Sequence, residues 1–215
     1  STGQPKGVVL SHRTNWLRGF QGVFVDVPEI SVCMFPLFHM AAFTLALAAW
    51  QTGGEIALSS ASPDNLLATM ERRRANHFYG LPAIWARLLD HGFDKHDVSA
   101  LREADTGTSA VPPELLAEIK ERLPHTVTRI YYGSTEGGAG TALPDVDGLR
   151  KPGSVGPPVP GVELRTREDG EVEVRSPFMM DGYFDNEAAT SEALVEGWYR
   201  TGDVGVLDGE GYLSI

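Results

Sequence analysis

Three times between residues 59 and 132 the chain places a proline where only the first turn of a helix accepts one, with a β-prone run close by. Ser62-Pro63 is a cap followed by proline at the first helical position, and it opens a helix to about Arg74. Residues 76–79 are strand-like, Pro82 opens the next helix, and Pro112-Pro113 repeats the device before a strand over residues 126–132. Proline is tolerated there because the N–H it lacks is one that the first turn leaves unpaired. In the last of these helices Leu115, Leu116, Ile119 and Leu123 recur at helical spacing, with Glu114, Glu118, Lys120 and Glu121 available for the wet side. The alternation also runs upstream. Val8-Val9-Leu10 is β-like, and Ser11 is an N-cap for a helix beginning near His12. Residues 32–35 are strand-like, residues 40–50 have helical length and many alanines, and residues 55–58 read as a short strand. Strands separated by helices of about ten residues predict an α/β fold, a mainly parallel sheet wrapped by helices with ligands beyond the carboxyl ends of the strands.

Near Arg150 the texture changes. Residues 152–161 are dense in proline and glycine, and short alternating runs follow at residues 162–165 and 171–175. We therefore expect two units: an α/β subdomain over residues 1–150 and a small β subdomain over residues 151–215. A chain of 215 residues buries enough core to dispense with disulfides, and the lone Cys33, inside Val32-Cys33-Met34-Phe35, reads as a buried small hydrophobe in a reducing, cytoplasmic setting. The formal net charge is −11, with 13 acidic residues against 4 arginines from residue 163 onward, which excludes nucleic acid as the main partner. The longest apolar run, residues 40–50, falls well short of the roughly 20 residues a membrane span needs. Ser1-Thr2-Gly3 starts inside a turn-forming loop and Tyr212-Leu213-Ser214-Ile215 stops inside a strand-like run, so the chain is expected to be a fragment.

Four stretches could carry chemistry. Ser1-Thr2-Gly3-Gln4-Pro5-Lys6-Gly7 combines small residues, hydroxyls and a cation, the components of a phosphate cradle, or else forms a solvated turn. It is not a Walker A loop, because Lys6 lies between Pro5 and Gly7 and leads into a strand-like run. Tyr132-Gly133-Ser134-Thr135-Glu136-Gly137-Gly138 follows a predicted strand; its aromatic face, hydroxyl and carboxylate suit a base, a phosphate oxygen and a magnesium ion, or else it is a capped glycine-rich turn. It lacks the G-x-S-x-G order of a serine-hydrolase elbow. Within Trp198-Tyr199-Arg200-Thr201-Gly202-Asp203, the Asp203 carboxylate could accept hydrogen bonds from vicinal hydroxyls such as those of ribose, or be merely solvated. His39, in Phe38-His39-Met40, reads first as a satisfied core histidine; no second His or Cys stands at metal-ligand spacing, and no zinc is expected.

Taken in order, the Ser1-to-Gly7 loop, Pro36-Leu37-Phe38-His39, Tyr132-to-Glu136 and Tyr199-to-Asp203 resemble, across the whole chain, the adenylate-forming superfamily of acyl-CoA synthetases, luciferases and peptide-synthetase adenylation domains. Gly80-Leu81-Pro82-Ala83, Thr106-Gly107-Thr108-Ser109-Ala110 and Pro152-Gly153-Ser154-Val155-Gly156 agree with the acyl-CoA synthetase branch. The resemblance implies an enzyme that uses ATP and Mg2+ to activate a carboxylic acid as acyl-AMP and passes the acyl group to coenzyme A.

By the same resemblance Ser1, Thr2, Gly3 and Lys6 hold the β- and γ-phosphates, Thr135 contacts the α-phosphate, Glu136 holds the magnesium, and Tyr132, followed by Gly133, stacks on adenine. Gly107, Thr108 and Ser109 line adenine and the acyl head, Asp203 binds the ribose hydroxyls, and His39 stands beside the substrate carboxylate. A hinge and a lysine-bearing carboxy-terminal domain would follow Ile215, so the chain alone is expected not to catalyse adenylation. Around His39 the only acids from residue 27 to 63 are Glu29 and Glu55, and an unpaired substrate ammonium would be costly to bury. Ala41, Ala42, Ala46, Ala48 and Ala49 either leave space for an alkyl chain or pack a helix. A fatty or other hydrophobic acid is the first expectation. An aryl acid, a fatty acyl-AMP ligase serving a carrier protein, and a non-catalytic ATP-binding domain of the same fold are the alternatives.

Overall fold

Each of the three helix-start prolines opens a helix, and those helices pack on one sheet. The computed structural model describes residues 5–20 and 27–215. The chain begins with β1 (Val8–Val9), α1 (His12–Gly19), β2 (Ile30–Cys33), α2 (Met40–Gln51) and β3 (Glu55–Leu58). It continues through α3 (Pro63–Arg73), β4 (His77–Gly80), α4 (Pro82–His91), β5 (Glu103–Gly107), α5 (Pro113–Arg122), β6 (Ile130–Ser134) and β7 (Gly138–Leu143). Then come β8 (Ser154–Gly156), β9 (Glu163–Thr166), β10 (Glu171–Arg175), β11 (Gly182–Tyr183) and α6 (Glu187–Ala193). Last are β12 (Leu194–Val195), β13 (Trp198–Val204), β14 (Val206–Leu207) and β15 (Leu213–Ser214).

The central sheet has the order β3-β2-β4-β5-β6-β7, parallel except for β7, which runs antiparallel to β6. Two antiparallel sheets, β12-β13-β10-β9 and β14-β15-β8, are built from residues beyond 150, whereas β11 returns to pair with β1. The main core lies between the sheet and α3, α4 and α5: Leu66, Leu67 and Met70 from α3, Trp85 and Leu88 from α4, Ile119 from α5, and Val32 and Phe78 from the sheet. Each such side chain contributes about 1.5–3 kcal/mol on burial. Trp85 meets Phe78 edge-on at 5.2 Å, and its indole N–H donates to the Asp105 carbonyl at 2.9 Å, so its one polar atom is satisfied.

Local chemistry explains the element ends. Ser11 and Ser62 accept from the backbone N–H three residues on, at 3.0 and 3.3 Å, which caps α1 and α3. The chain leaves α3 through Arg74 at φ +50°, and Ala75 N–H reaches back to Met70 O at 2.9 Å. Strand β4 starts one residue later than expected because Asn76 brackets β2 through its side chain, accepting from Ile30 N at 2.8 Å and donating to Pro28 O at 3.0 Å. Strand β6 starts at Ile130 rather than Thr126, since Thr128 N–H turns aside to Asp145 Oδ1 at 2.8 Å. Ala42, Ala46 and Ala49 are buried, so these three alanines of α2 pack the helix rather than leaving space, and Cys33 is buried beside Ala42 and Phe35 as expected.

Candidate active site

Strand β6 turns directly into β7, and the hairpin between them carries Thr135, Glu136 and Gly137. The strands are irregularly registered between Tyr132 and Gly133, where a Cβ on Gly133 would stand 2.3 Å from Gly138 O, so the close approach of the two backbones requires glycine. Ser134 Oγ closes the turn by accepting from Gly137 N at 2.9 Å. The capping expected of a glycine-rich turn is therefore present, and it leaves Thr135 and Glu136 at the tip.

A buried cation fixes that tip from behind. Arg18, on the last turn of α1 and 4% exposed, donates through Nε and Nη2 to Phe178 O at 2.9 and 2.6 Å, and through Nη2 to Thr135 O at 2.9 Å and Glu136 O at 3.4 Å. Burial lowers its pKa to about 10, and the Glu136 carboxylate acts in the opposite sense, so the guanidinium stays charged at neutral pH. Met180 N–H donates to Glu136 O at 2.7 Å and completes the clamp.

The Glu136 carboxylate faces the other way. Its Oε1 accepts the Tyr183 hydroxyl at 2.9 Å, and the Lys6 ammonium sits 4.5 Å from the centre of the same tyrosine ring. Among the described residues Oε2 has no hydrogen-bond donor and no basic group pairs with this carboxylate, so an anionic oxygen is left for a hard cation. That donor set fits magnesium. Tyr199 lies under Gly137, and burial, then the Glu136 charge, push its phenol up to about 12. Ser1, Thr2 and Gly3 lie outside the described residues.

Tyr132 Oη donates to Asp203 Oδ2 at 2.7 Å. Asp203 is exposed, and its own N–H is anchored on Thr201 Oγ1 at 3.1 Å, while Thr201 donates to Val172 O at 2.8 Å. At the carboxyl end of β5, Gly107 adjoins Tyr131; a Cβ there would fall 2.1 Å from Tyr131 O. Thr108, at φ +65°, donates to Gly107 O at 2.6 Å, and Thr108 and Ser109 are both exposed.

His39 is not the satisfied core histidine that reading the residues alone favoured. It is exposed, its Nδ1 accepts from Ala41 N at 3.1 Å as the N-cap of α2, and its ring stacks on Phe35 at 5.6 Å. With Nδ1 accepting, the neutral ring carries its proton on Nε2. Phe35 continues to Tyr79 at 5.8 Å and Tyr79 to Tyr131 at 6.1 Å, a line of rings from His39 to the strand that bears Tyr132. Two residues of this arrangement escaped the sequence reading. Arg18 looks like an ordinary cation at a helix C-terminus, and Tyr183 is marked only by the glycine before it.

A second charged cluster lies at the amino-terminal side of β4 and β5. Ligand atoms of His77, Glu103 and Asp105 approach within 4.8 Å of one another, but Arg129 already bonds Asp105 (Nη2 to Oδ2, 2.7 Å) and Glu103, so each carboxylate has a cationic partner. Burial opposes charge on His77, yet Asp105 Oδ2 at 3.4 Å and Glu29 Oε1 at 2.8 Å flank the ring and raise its pKa to about 10.

The sequence pattern of AMP-binding enzymes matches residues 1–184. The chain belongs to the AMP-binding enzyme family. Among curated members it is 35% identical to "3-[(3aS,4S,7aS)-7a-methyl-1,5-dioxo-octahydro-1H-inden-4-yl]propanoyl:CoA ligase" of Mycobacterium tuberculosis, over all of this chain and 44% of that protein. It is 32% identical to the long-chain-fatty-acid–CoA ligase of Thermus thermophilus, over all of this chain and 45% of that one. Among solved AMP-binding structures, O-succinylbenzoate coenzyme A synthetase (MenE) from Bacillus subtilis, in complex with ATP and magnesium, superposes with a TM-score of 0.88 at 26% identity, over 99% of this chain and 47% of that one. The chain thus spans under half the length of these relatives. Among the described residues, no helix is long and apolar enough to cross a membrane.

Proposed function

We propose that this chain is the nucleotide- and acyl-binding part of an ATP-dependent acid–thiol ligase that converts a hydrophobic carboxylic acid to acyl-AMP and then to the coenzyme A thioester. The observation that carries the reading is the division of labour around β6: Glu136 with one oxygen uncommitted among the described residues, linked to Lys6 through Tyr183, at one end, and Tyr132 bonded to Asp203 at the other. A nucleotide triphosphate needs both, an aromatic face with a carboxylate for its nucleoside and cations for its phosphates.

In this scheme the Tyr132 ring stacks on adenine and Asp203 accepts from the ribose hydroxyls. Gly107, Thr108 and Ser109 line adenine and the acyl head. Lys6, with Ser1, Thr2 and Gly3, neutralises the β- and γ-phosphates, and the Thr135 hydroxyl donates to the α-phosphate. His39 holds its Nε2 proton toward the substrate carboxylate. Glu136 would hold a magnesium ion, which when bound stabilises the charge that grows as pyrophosphate departs. The hydrophobic acid is fatty in the first reading, supported by the exposed Leu37, Phe38 and Phe43 beside His39. The ring line Phe35, Tyr79, Tyr131 favours a second reading, a planar aryl acid.

The test is the full-length protein with ATP, Mg2+ and a panel of medium-chain, long-chain and aromatic acids. Mass spectrometry should detect acyl-AMP without coenzyme A and the thioester with it. Thioester from aryl acids alone would replace the first reading by the second, and acyl-AMP that coenzyme A cannot discharge would assign the acceptor to a carrier protein. Failure to form any adenylate while ATP still binds would support a non-catalytic nucleotide-binding domain. Because the chain spans under half the length of these relatives, residues 1–215 alone should release no pyrophosphate at an enzymatic rate.

A further inference from the structure

We propose that Tyr183 is a positioning residue that holds the Glu136 carboxylate on its hydroxyl and the Lys6 ammonium on its ring face, keeping both charges on one side chain without an ion pair between them. The inference rests on the reading of Glu136 as the magnesium carboxylate and Lys6 as a phosphate-binding cation.

The placement of Tyr183 comes from pairing distant in sequence. Strand β11 runs antiparallel to β1 with Tyr183 opposite Val8, two residues beyond Lys6. Phe184 N–H to Gly7 O at 2.7 Å and Asp181 N–H to Val9 O at 2.9 Å extend the ladder on both sides. Tyr183 N–H donates to Thr190 Oγ1 at 2.8 Å, which braces the residue against α6. Tyr183 is 7% exposed, so its ring is held in place, and its hydroxyl bond to Glu136 is partly buried.

The consequence is electrostatic. A flexible lysine beside a half-buried carboxylate tends to close on it, and that ion pair would have to be broken before either could serve a ligand. Here Lys6 and Glu136 form no ion pair: the ring lies under the ammonium at cation–π distance and the hydroxyl engages Oε1. Among the described residues, Oε2 and the ammonium then have no hydrogen-bond or ion-pair partner, and both can meet a metal–phosphate group.

The experiment uses the full-length protein and four variants, Tyr183→Phe, Tyr183→Leu, Glu136→Gln and the Tyr183→Phe/Glu136→Gln double variant. Binding of Mn2+, as a spectroscopic substitute for Mg2+, is followed by electron paramagnetic resonance in the presence of α,β-methylene-ATP. Rates of acyl-adenylate formation, and of thioester formation from supplied acyl-adenylate, are timed separately. Tyr183→Phe should weaken Mn2+ binding and slow adenylate formation, each by roughly three- to tenfold, the range for one hydrogen bond to a charged group partly offset by relaxation. It should leave the thioester step unchanged and add nothing in the Glu136→Gln background. Tyr183→Leu should also raise the KM for ATP, because the ring under Lys6 is gone. Wild-type Mn2+ binding in Tyr183→Phe, or an equal loss in both backgrounds, overturns the inference while leaving Glu136 in its role. Unchanged Mn2+ binding and adenylation in Glu136→Gln overturns the reading of Glu136 and the inference with it.

Discussion

The Tyr132 hydroxyl donates to Asp203 Oδ2 at 2.7 Å, so the residue proposed to meet adenine and the residue proposed to meet ribose are bonded directly to each other. The bond joins β6 of the parallel sheet to β13 of an antiparallel one.

Removing either partner should loosen nucleotide binding by different amounts. Asp203→Asn keeps the shape and loses the charge, and should weaken AMP binding roughly tenfold; Tyr132→Phe keeps the stacking face and should cost roughly threefold. Calorimetric titration with AMP checks both. Wild-type affinity in Asp203→Asn would mean that this aspartate is merely solvated.

Glu136→Gln should slow acyl-adenylate formation by roughly 10²–10³-fold, the order seen when one preorganised electrostatic partner is lost. Thioester formation from premade acyl-adenylate should suffer far less, since that step expels AMP and not pyrophosphate. Equal damage to both steps would make Glu136 a structural residue.

Gly107→Ala should destabilise the fold. The new methyl would stand 2.1 Å from Tyr131 O and 2.9 Å from Tyr79 Oη, at a backbone φ of +152°. A cost of roughly 1–3 kcal/mol, or several degrees in Tm, is expected from such strain. Melting at the wild-type temperature would show that β5 and β6 can separate at no cost.

Arg18→Met leaves the Thr135 and Phe178 carbonyls without their shared donor, at about 1–3 kcal/mol for each buried acceptor. Arg18→Lys keeps the charge but not the planar fork and should recover only part of the loss. Hydrogen exchange at the Met180 amide, which donates to Glu136 O, should quicken in Arg18→Met; unchanged protection there would show that the tip does not depend on the arginine.

His77 supplies a pH dependence of stability. Its pKa is about 10 in the folded protein against 6.5 for the free side chain, so the folded state binds the proton more tightly than the unfolded state. The stabilisation from imidazolium between Asp105 and Glu29 is complete below about pH 6.5 and declines as pH rises toward 10. Denaturant unfolding at pH 7 and at pH 9.5 should show a steeper loss in the wild type than in His77→Gln. Parallel slopes would place His77 in its neutral form.

Much of the architecture can be read locally, because the prolines at 63, 82 and 113 and the caps at Ser11 and Ser62 act within one helical turn. Strand β5 cannot be read that way. Its sequence, Glu-Ala-Asp-Thr-Gly, is poor strand material, and its acids are met by His77 of β4 and by Arg129, the residue before β6. The site divides along the same line. Tyr132, Glu136 and Asp203 sit in short recognisable motifs, whereas Tyr183 reaches Glu136 across 47 positions and Arg18 reaches Phe178 across 160, distances over which no local pattern operates. His39 was misjudged in isolation because a histidine among apolar residues resembles core, and only its capping of α2 turns it outward.

The pairing of β1 with β11 and the reach of Arg18 to Phe178 also set the order in which the site can be made. A ribosome adding 5–20 residues per second needs roughly 10–30 s to extend from the arginine to its acceptor. During that interval β1 lacks its strand partner and Arg18 lacks the Phe178 carbonyl, while α3, β4 and α4 can already pack on one another. The nascent protein should therefore acquire its helical core before the edge formed by β1, β11 and the Arg18 contacts. A ribosome stalled before residue 178 would hold a chain with a folded centre and an unpaired β1, more sensitive to protease there than in α4.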